Sequence, residues 1–170
     1  MAPGVPDVYQ GSEALDLSLV DPDNRRLPDF SSLDSNLATA EVTNLDLSDP
    51  GSWAPLKQVV VARLLNFRRD DPGLFATGAY IPLAASGAAA DAVIAFARTD
   101  GARAVIIAVP RLVGRTLRHQ SIGGLPELLS DVEISLPAPL SDRRYRDLWS
   151  GRSTFVGNSI QAIAEASPVP

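Results

Sequence analysis

The sequence predicts an α+β chain, in which a strand, a polar loop and a helix precede a small antiparallel β-sheet or β-sandwich domain. Three observations support this fold class. A short apolar run near the N-terminus ends in a loop rich in charged side chains. Apolar residues then recur at helical spacing across 53–67, and short apolar runs separated by turn signals fill the chain after residue 79. We therefore expect two domains, at residues 1–71 and 72–170.

The N-terminal run at residues 5–9 is expected to form a short strand. Pro6 suits the start of a strand, where a missing N–H group does little harm. Gln10 and Gly11 end this strand and begin a loop that holds acidic, basic and amide side chains within a few residues of one another. A strand that ends in such a loop is typical of the active face of an α/β barrel.

Two runs in this region resemble a known family. Pro-Gly-Val-Pro-Asp-Val-Tyr-Gln-Gly-Ser-Glu at residues 3–13 is similar to the eighth barrel strand of the α-amylase superfamily. Ser-Leu-Val-Asp-Pro-Asp-Asn-Arg-Arg at residues 18–26 is more specific, and resembles the maltooligosyl trehalose synthase family within it. The resemblance continues weakly to the Trp-Ser-Gly-Arg run at residues 149–152, while residues 31–50 match poorly.

The resemblance implies a particular fold for each part of the chain. Residues 1–71 would be the last strand, loop and helix of a (β/α)8 barrel, and residues 72–170 the all-β domain that follows it. A complete barrel needs about 250 residues, whereas this chain has 170. We therefore expect a C-terminal fragment of a longer enzyme, with an upstream chain supplying the missing barrel.

The resemblance also implies a reaction. The family resembled cleaves the α-1,4 link at the reducing end of a maltooligosaccharide and rejoins the two sugars through an α,α-1,1 link, in trehalose biosynthesis. Retaining chemistry of this kind uses two carboxyl groups about 5 Å apart. The family's catalytic carboxylates lie on earlier barrel strands and have no counterpart here. We therefore expect an isomerase by family, no catalytic residue in this chain, and no activity of the chain alone.

Substrate contact is the role left for the N-terminal loop. Asp, Asn and Arg side chains form paired hydrogen bonds with neighbouring sugar hydroxyls, and an aromatic ring can stack on a pyranose face. An alternative remains open, in which residues 21–24 form a turn with local side-chain bonds and the arginines pair with its carboxylates. The candidate substrate-binding residues are Tyr9, Gln10, Glu13, Asp21, Asp23, Asn24, Arg25 and Arg26.

A helix is expected from residue 53. Ser52 can cap it, Pro55 is tolerated in its first turn, and Leu56, Val60 and Leu64 recur on one face. The residue before Pro72 avoids the helical region, so the helix should end there. Residues 31–52 show no lasting period and are expected to form a loop, with one short helix near 37–42.

Short strands are expected after the helix. Residues 79–83, 92–98, 104–109 and 145–149 are candidates, and the alternation at 132–136 gives a strand with one wet face. The runs 92–98 and 104–109 are apolar on both faces, which is typical of central strands. Asp100 and Gly101 predict a two-residue hairpin between them. We expect a loop at 114–130 with a helical turn at 126–129, and a short helix or last strand at 158–166.

Composition and short sequence signals argue against nucleic-acid binding, metal binding and membrane insertion. A net charge of −5 argues against nucleic-acid binding, and the lack of cysteine excludes disulfides and thiolate metal sites. No signal peptide or membrane span is visible, so a cytoplasmic location is expected. Residues 21–24 resemble a calcium loop, but Arg26 stands where glycine is needed. We expect neither metal nor cofactor, and give the lone His119 no role.

Two alternative functions remain open. The β-domain from about residue 75 could be a non-catalytic carbohydrate-binding or scaffold module. The chain could also be a remnant without function.

Overall fold

The computed structural model describes residues 1–19, 21, 25–39, 49–117, 127 and 129–162. The helices are α1 (Phe30–Thr39), α2 (Trp53–Asp70), α3 (Pro72–Thr77) and α4 (Val113–Leu117). The strands are β1 (Ala79–Leu83), β2 (Ala85–Ser86), β3 (Val93–Thr99), β4 (Ala104–Pro110), β5 (Glu133–Ser135), β6 (Arg143–Arg146), β7 (Ser153–Val156) and β8 (Ser159–Gln161). The chain divides into two units, Gly4–Asp70 and Asp71–Pro170 together with Met1–Pro3.

The predicted N-terminal strand at residues 5–9 is wrong: this segment is irregular. Its side chains lie open to solvent, with Val5 94% and Tyr9 75% exposed. A strand requires a neighbour for its N–H and C=O groups, and the described residues bring no strand beside this segment. The barrel-like element expected here is therefore not formed.

Helix α1 corrects the expectation of a loop after residue 31. The Asp29 carboxylate caps it, accepting from the Ser32 backbone N–H at 3.0 Å and from the Ser32 hydroxyl at 2.6 Å. The short helix expected near 37–42 overlaps the end of α1, and its last three residues lie outside the described part of the chain.

Helix α2 confirms the predicted helix and its apolar period. It begins at Trp53 after a 3-10 helix at Pro50–Ser52 and ends at Asp70, two residues before Pro72. Its apolar side chains Leu56, Val60 and Leu64 are half-buried, and Gln58 alone is fully buried. Of the described helices, none is both long and apolar enough to cross a membrane.

The described part of the second unit contains three small antiparallel sheets. Their strand orders are β1-β3-β4, β2-β5-β8 and β6-β7. The main core is shared between the sheets and includes Ala97, Ile134 and Leu140, each with 0% exposure. The alternation predicted at 132–136 is confirmed, because Val132, Ile134 and Leu136 are buried whereas Glu133 and Ser135 are exposed.

The face of β3 that points away from the main core is covered at one end by α3. Leu74 and Phe75 of this helix are buried, and so is Arg98 of β3. The Arg98 Nη2 group donates to the carbonyls of Leu74, Phe75 and Gly78 at 3.3, 3.0 and 2.8 Å. The arginine thus caps the C-terminal end of α3, where carbonyl groups lack helical partners.

The hairpin between β3 and β4 is confirmed, but its predicted two-residue turn is wrong. The connection has four residues, closed by the Asp100 N–H donating to the Arg103 carbonyl at 3.2 Å. Only Gly101 has a positive φ there, at 92°. The expectation of two central strands is half right, because β3 is central whereas β4 lies at the edge of its sheet.

The last strands differ from the expected boundaries. Strand β6 ends at Arg146, because Asp147 begins a turn in which its carboxylate accepts from the Ser150 backbone N–H at 2.6 Å. Strand β7 was not predicted and pairs with β6. The final element is a strand, β8, and residues 163–166 lie outside the described part of the chain. The expected helical turn at 126–129 also lies largely outside it.

Candidate functional site

The candidate loop begins at Gly11 and returns to the same place at Pro28. A Cβ atom built on Gly11 would lie 2.3 Å from the Pro28 Cβ and 2.4 Å from its Cγ. Gly11 also has a φ of 88°, a conformation that glycine adopts without steric cost. Glycine is therefore required at the point where the two ends of the loop touch.

Helix α2 holds the first part of the loop through its cationic side chains. The Lys57 ammonium donates to the carbonyls of Ser12 and Ala14 at 2.8 and 2.7 Å. The Arg68 guanidinium donates to the Gly4 carbonyl. These contacts position residues 4–14 although no strand pairing does so.

Tyr9 and Gln10 lie just before Gly11, and Glu13 lies just after it. Tyr9 exposes three-quarters of its surface, and its carbonyl accepts from the Ser12 N–H and hydroxyl at 3.1 and 2.8 Å. Gln10 is exposed as well. Glu13 is half-buried, and its Oε2 atom has no hydrogen-bond partner among the described residues. The three residues are neighbours along the chain, and the two exposed side chains could meet a ligand from solvent.

Asp21 and Arg25 form an ion pair within the loop. The Arg25 Nη2 group donates to Asp21 Oδ2 at 2.7 Å, and Arg25 Nε contacts Oδ1 of the same carboxylate. Both side chains remain more than half exposed. This is the local pairing that the alternative interpretation described, and it leaves polar edges of both groups accessible. Arg26 is also exposed, whereas Asp23 and Asn24 lie outside the described residues.

The electrostatics of the loop favour an ionised carboxylate at Asp16. Hydrogen bonds from the Ser18 side chain and from the Ser18 N–H, which lies 2.9 Å from Asp16 Oδ1, lower the pKa of that carboxyl below its ordinary value, with smaller contributions from Arg26 and Lys57. Fixed carboxylates and guanidinium groups of this kind can bind sugar hydroxyls. The described residues contain no cluster of three or more His, Asp or Glu side chains that could hold a metal ion.

Three residues that position the loop were not identified from the sequence. Lys57 was treated only as a polar residue outside the apolar arc of its helix, and its partners are 43 and 45 residues away. Asp16 was not singled out either. Asp29 caps α1 with the spacing Asp-x-x-Ser, which is a recognisable N-terminal helix signal.

Comparisons with known proteins agree with the resemblance found in the sequence. No protein-family model matches the chain. Two proteins of Mycobacterium tuberculosis, from strains CDC 1551 and H37Rv, are named as maltooligosyl trehalose synthases, and each is 46% identical to the chain over 149 residues. The match covers 88% of this chain but only 16% of the length of each relative.

Solved structures give the same result. The maltooligosyltrehalose synthase of Arthrobacter ramosus matches 94% of this chain, with a TM-score of 0.66 and 33% identity, over 18% of its own length. A second maltooligosyl trehalose synthase structure has a TM-score of 0.58 at 23% identity, which supports the fold alone. The mixed α/β fold with small antiparallel sheets thus matches the C-terminal part of these enzymes. Over most of its length the chain is thus similar in sequence and fold to the C-terminal part of maltooligosyl trehalose synthases, and it corresponds to about one sixth of the relatives' length.

Proposed function

We propose that the chain serves as the C-terminal part of a (1→4)-α-D-glucan 1-α-D-glucosylmutase in trehalose biosynthesis. Such an enzyme converts the α-1,4 link at the reducing end of a maltooligosaccharide into an α,α-1,1 link. The observation that carries the proposal is the 46% identity to synthases over 88% of this chain. Since only 16% of each relative is matched, the chemistry would depend on an upstream part that carries the catalytic carboxylates.

The exposed apolar residues of the first unit support a need for that upstream part. Val5, Leu17 and Leu27 are 94%, 87% and 95% exposed, and they lie in segments without strand or helix. Exposed apolar groups grouped in one segment commonly mark an interaction surface. We infer that residues 5–19 pack against a barrel supplied by the rest of the enzyme.

The role of the loop in this proposal is to bind sugar, not to break bonds. Asp21, Arg25 and Arg26 offer acceptors and donors for vicinal hydroxyls, and the exposed ring of Tyr9 offers a stacking face. Asp23 and Asn24 belong to the same proposed set. The Asp21–Arg25 pair would fix the direction of both groups before substrate arrives, which lowers the ordering cost of binding.

A first experiment measures activity of the chain by itself. We expect no trehalose-terminated product from purified chain and maltopentaose, because the two carboxyl groups that this reaction needs are supplied elsewhere. Product formed at a rate well above buffer would overturn the proposed dependence on an upstream part.

A second experiment tests sugar contact in a hybrid enzyme, defined as the Arthrobacter ramosus synthase whose counterpart segment is replaced by this chain. We expect Tyr9→Ala to raise KM for maltopentaose by about tenfold, the value of one aromatic contact of about 1.4 kcal/mol. Phe155→Ala is the matched control, since Phe155 is 60% exposed on β7 and has no proposed role. An equal effect of both substitutions would remove Tyr9 from the site.

One observation favours the alternative of a carbohydrate-binding β-domain. Tyr80 is 45% exposed on β1, and its ring centroid lies 5.0 Å from that of Phe96. Titration of the whole chain with maltopentaose separates the two functions. Loss of binding in Tyr80→Ala but not in Tyr9→Ala would support the module, and the reverse would support the loop.

A further inference from the structure

Strand β4 has the composition of a central strand but lies at an edge of its sheet. Its residues Ala104 to Val109 are all apolar, and the strand pairs only with β3 in the described sheets. Strands that are apolar on both faces are normally buried on both faces. An apolar edge with unpaired N–H and C=O groups is a template for another strand.

The hydrogen-bond pattern identifies which groups face the open side. The Asp100 N–H donates to the Arg103 carbonyl, and the Arg111 N–H donates to the Ala92 carbonyl. Bonded and non-bonded pairs alternate along an antiparallel ladder. In this register, the backbone N–H and C=O groups of Val105, Ile107 and Val109 therefore point toward β3. The N–H and C=O groups of Ala104, Ile106 and Ala108 therefore point away from β3. No hydrogen bond to them appears among the described residues.

The opposite edge of the same sheet differs in one respect. On β1, by the same alternation, the backbone hydrogen-bonding groups of Tyr80 and Pro82 point away from β3. Proline has no N–H group, and its presence on an edge strand prevents continuous pairing with another chain. Strand β4 has no proline before Pro110, its last residue. Among the described residues, the sheet therefore presents one blocked edge and one open edge.

The spacing of the open groups is self-complementary. In an antiparallel pair centred on Ile106, Ile106 lies opposite Ile106 of a second copy, and Ala104 lies opposite Ala108. All three outward residues then form bonded pairs, which give six N–H to C=O hydrogen bonds. Val105 lies opposite Ile107 of the second copy in a non-bonded pair, where side chains approach most closely.

We propose that β4 is a homodimerisation strand, which joins two copies of this chain into one continuous six-stranded antiparallel sheet. Both faces of the joined sheet are apolar at the contact. Ala104, Ile106 and Ala108 pack on the main core, and Ile94 and Val109 on the other face are 43% and 41% exposed. The interface does not depend on the enzymatic activity proposed above.

Two double variants of the whole chain test this pairing by sedimentation velocity over a concentration series. The first double variant is Val105→Lys with Ile107→Lys. In the dimer it places an ammonium group opposite another ammonium group at each of the two Val105–Ile107 pairs. Val105→Lys with Ile107→Glu puts opposite charges at the same places. Both variants carry two charged groups on the same half-exposed positions. Circular dichroism melting curves establish whether each variant is folded.

We expect the wild type to form a discrete dimer as concentration rises. The Lys/Lys variant should dimerise about tenfold more weakly than the Lys/Glu variant, because like charges directly opposite oppose pairing. Equal association of the two folded variants would overturn the proposal, and so would a wild type that stays monomeric.

Amide hydrogen exchange of the wild type gives a test that needs no variant. Exchange at Ala104, Ile106 and Ala108 should slow by at least about tenfold between the monomer and dimer concentrations, since each amide gains a hydrogen bond. Exchange at Tyr80, on the blocked edge, should not change. A dimer that leaves the three β4 amides unprotected would show that another surface pairs.

Discussion

Arg98 is the largest side chain that the described fold buries completely, and its guanidinium lies at the end of a helix. One nitrogen, Nη2, satisfies three carbonyls at the C-terminal end of α3, whereas Nε and Nη1 have no hydrogen-bond partner. The fold therefore tolerates two unsatisfied donors in order to cap α3. This position explains why a charged residue lies within a strand that is otherwise apolar.

Replacing Arg98 by Met should lower the free energy of unfolding by about 2 kcal/mol, because the carbonyls of Phe75 and Gly78 lose the Arg98 donor, whereas that of Leu74 keeps the Gly78 N–H. Denaturant unfolding monitored by circular dichroism measures this change. Arg144→Met is the control, since Arg144 is an exposed residue on β6. Equal stability of the two variants would mean that water or the backbone satisfies the α3 carbonyls without Arg98.

Gly11 is the second residue whose identity the fold restricts. Gly11→Ala should destabilise the closed loop by about 1–3 kcal/mol, because the new methyl group meets Pro28 and the backbone has a positive φ. Limited proteolysis of residues 12–27 should become faster. Gly73→Ala serves as control, because a Cβ atom there meets nothing within 4 Å. A loop equally resistant in both variants would contradict the proposed closure.

Asp100 makes the hairpin sensitive to acid. The Arg103 backbone N–H and guanidinium donate to the Asp100 carboxylate and lower its pKa. A lowered folded-state pKa means that the stabilisation is complete above the unfolded carboxyl pKa of about 4 and is lost as the pH falls through the folded value.

Asp100→Asn should therefore flatten the fall in stability below about pH 4. Unfolding curves recorded at a series of pH values from about pH 6 downward check this expectation. Asp70→Asn removes the same charge from a carboxylate whose contact with Arg69 is 3.5 Å long, and is the control. Parallel pH profiles for wild type and Asp100→Asn would exclude this carboxylate as a source of acid sensitivity.

At the scale of elements, α2 organises the first unit through its polar side chains. The Lys57 ammonium donates to the carbonyls of Ser12 and Ala14. The Gln58 side-chain amide donates to the Leu33 carbonyl of α1 at 2.7 Å. The helix thus fixes both the candidate loop and α1. Its apolar residues Leu56, Val60 and Leu64 stay only half-buried.

Lys57→Met should loosen the loop without melting the helix, because methionine keeps the helix propensity but provides no donor. We expect faster amide exchange at residues 12–17 and an unchanged far-ultraviolet circular dichroism spectrum. Arg69→Met, on the same helix, should leave exchange in the loop unchanged. Loss of helicity in Lys57→Met would assign the lysine a role in the helix itself.

The elements that could be predicted from the sequence are those determined by local pattern. The period across 53–67 identified α2, and the alternation at 132–136 identified β5 with one wet face. The segment at 5–9 was predicted wrongly because a strand depends on a neighbour that the local sequence does not reveal. The edge position of β4 was missed for the same reason, since apolar composition describes a strand but not its partners.

The candidate site shows the same division. The loop of charged residues could be recognised from its composition and its resemblance to a family, and Asp21 and Arg25 do lie together. The anchoring of that loop by Lys57 could not be predicted, because the contact spans more than forty residues. Gly11 signalled a turn, but its close approach to Pro28 required the structure.

At the scale of the whole molecule, the second unit has a buried core of its own, whereas most apolar side chains of residues 5–30 are exposed. This asymmetry is what a C-terminal segment of a larger synthase would show when its barrel is supplied by the upstream part. The central proposal is that the chain contributes to synthase activity only together with that upstream part.

The hybrid enzyme tests this claim most directly, through its rate of forming trehalose-terminated product from maltopentaose. The account predicts product at a rate within about tenfold of the parent Arthrobacter ramosus synthase, since the two segments share 33% identity and the same fold. A hybrid that is folded and binds maltopentaose but forms no such product would contradict the account.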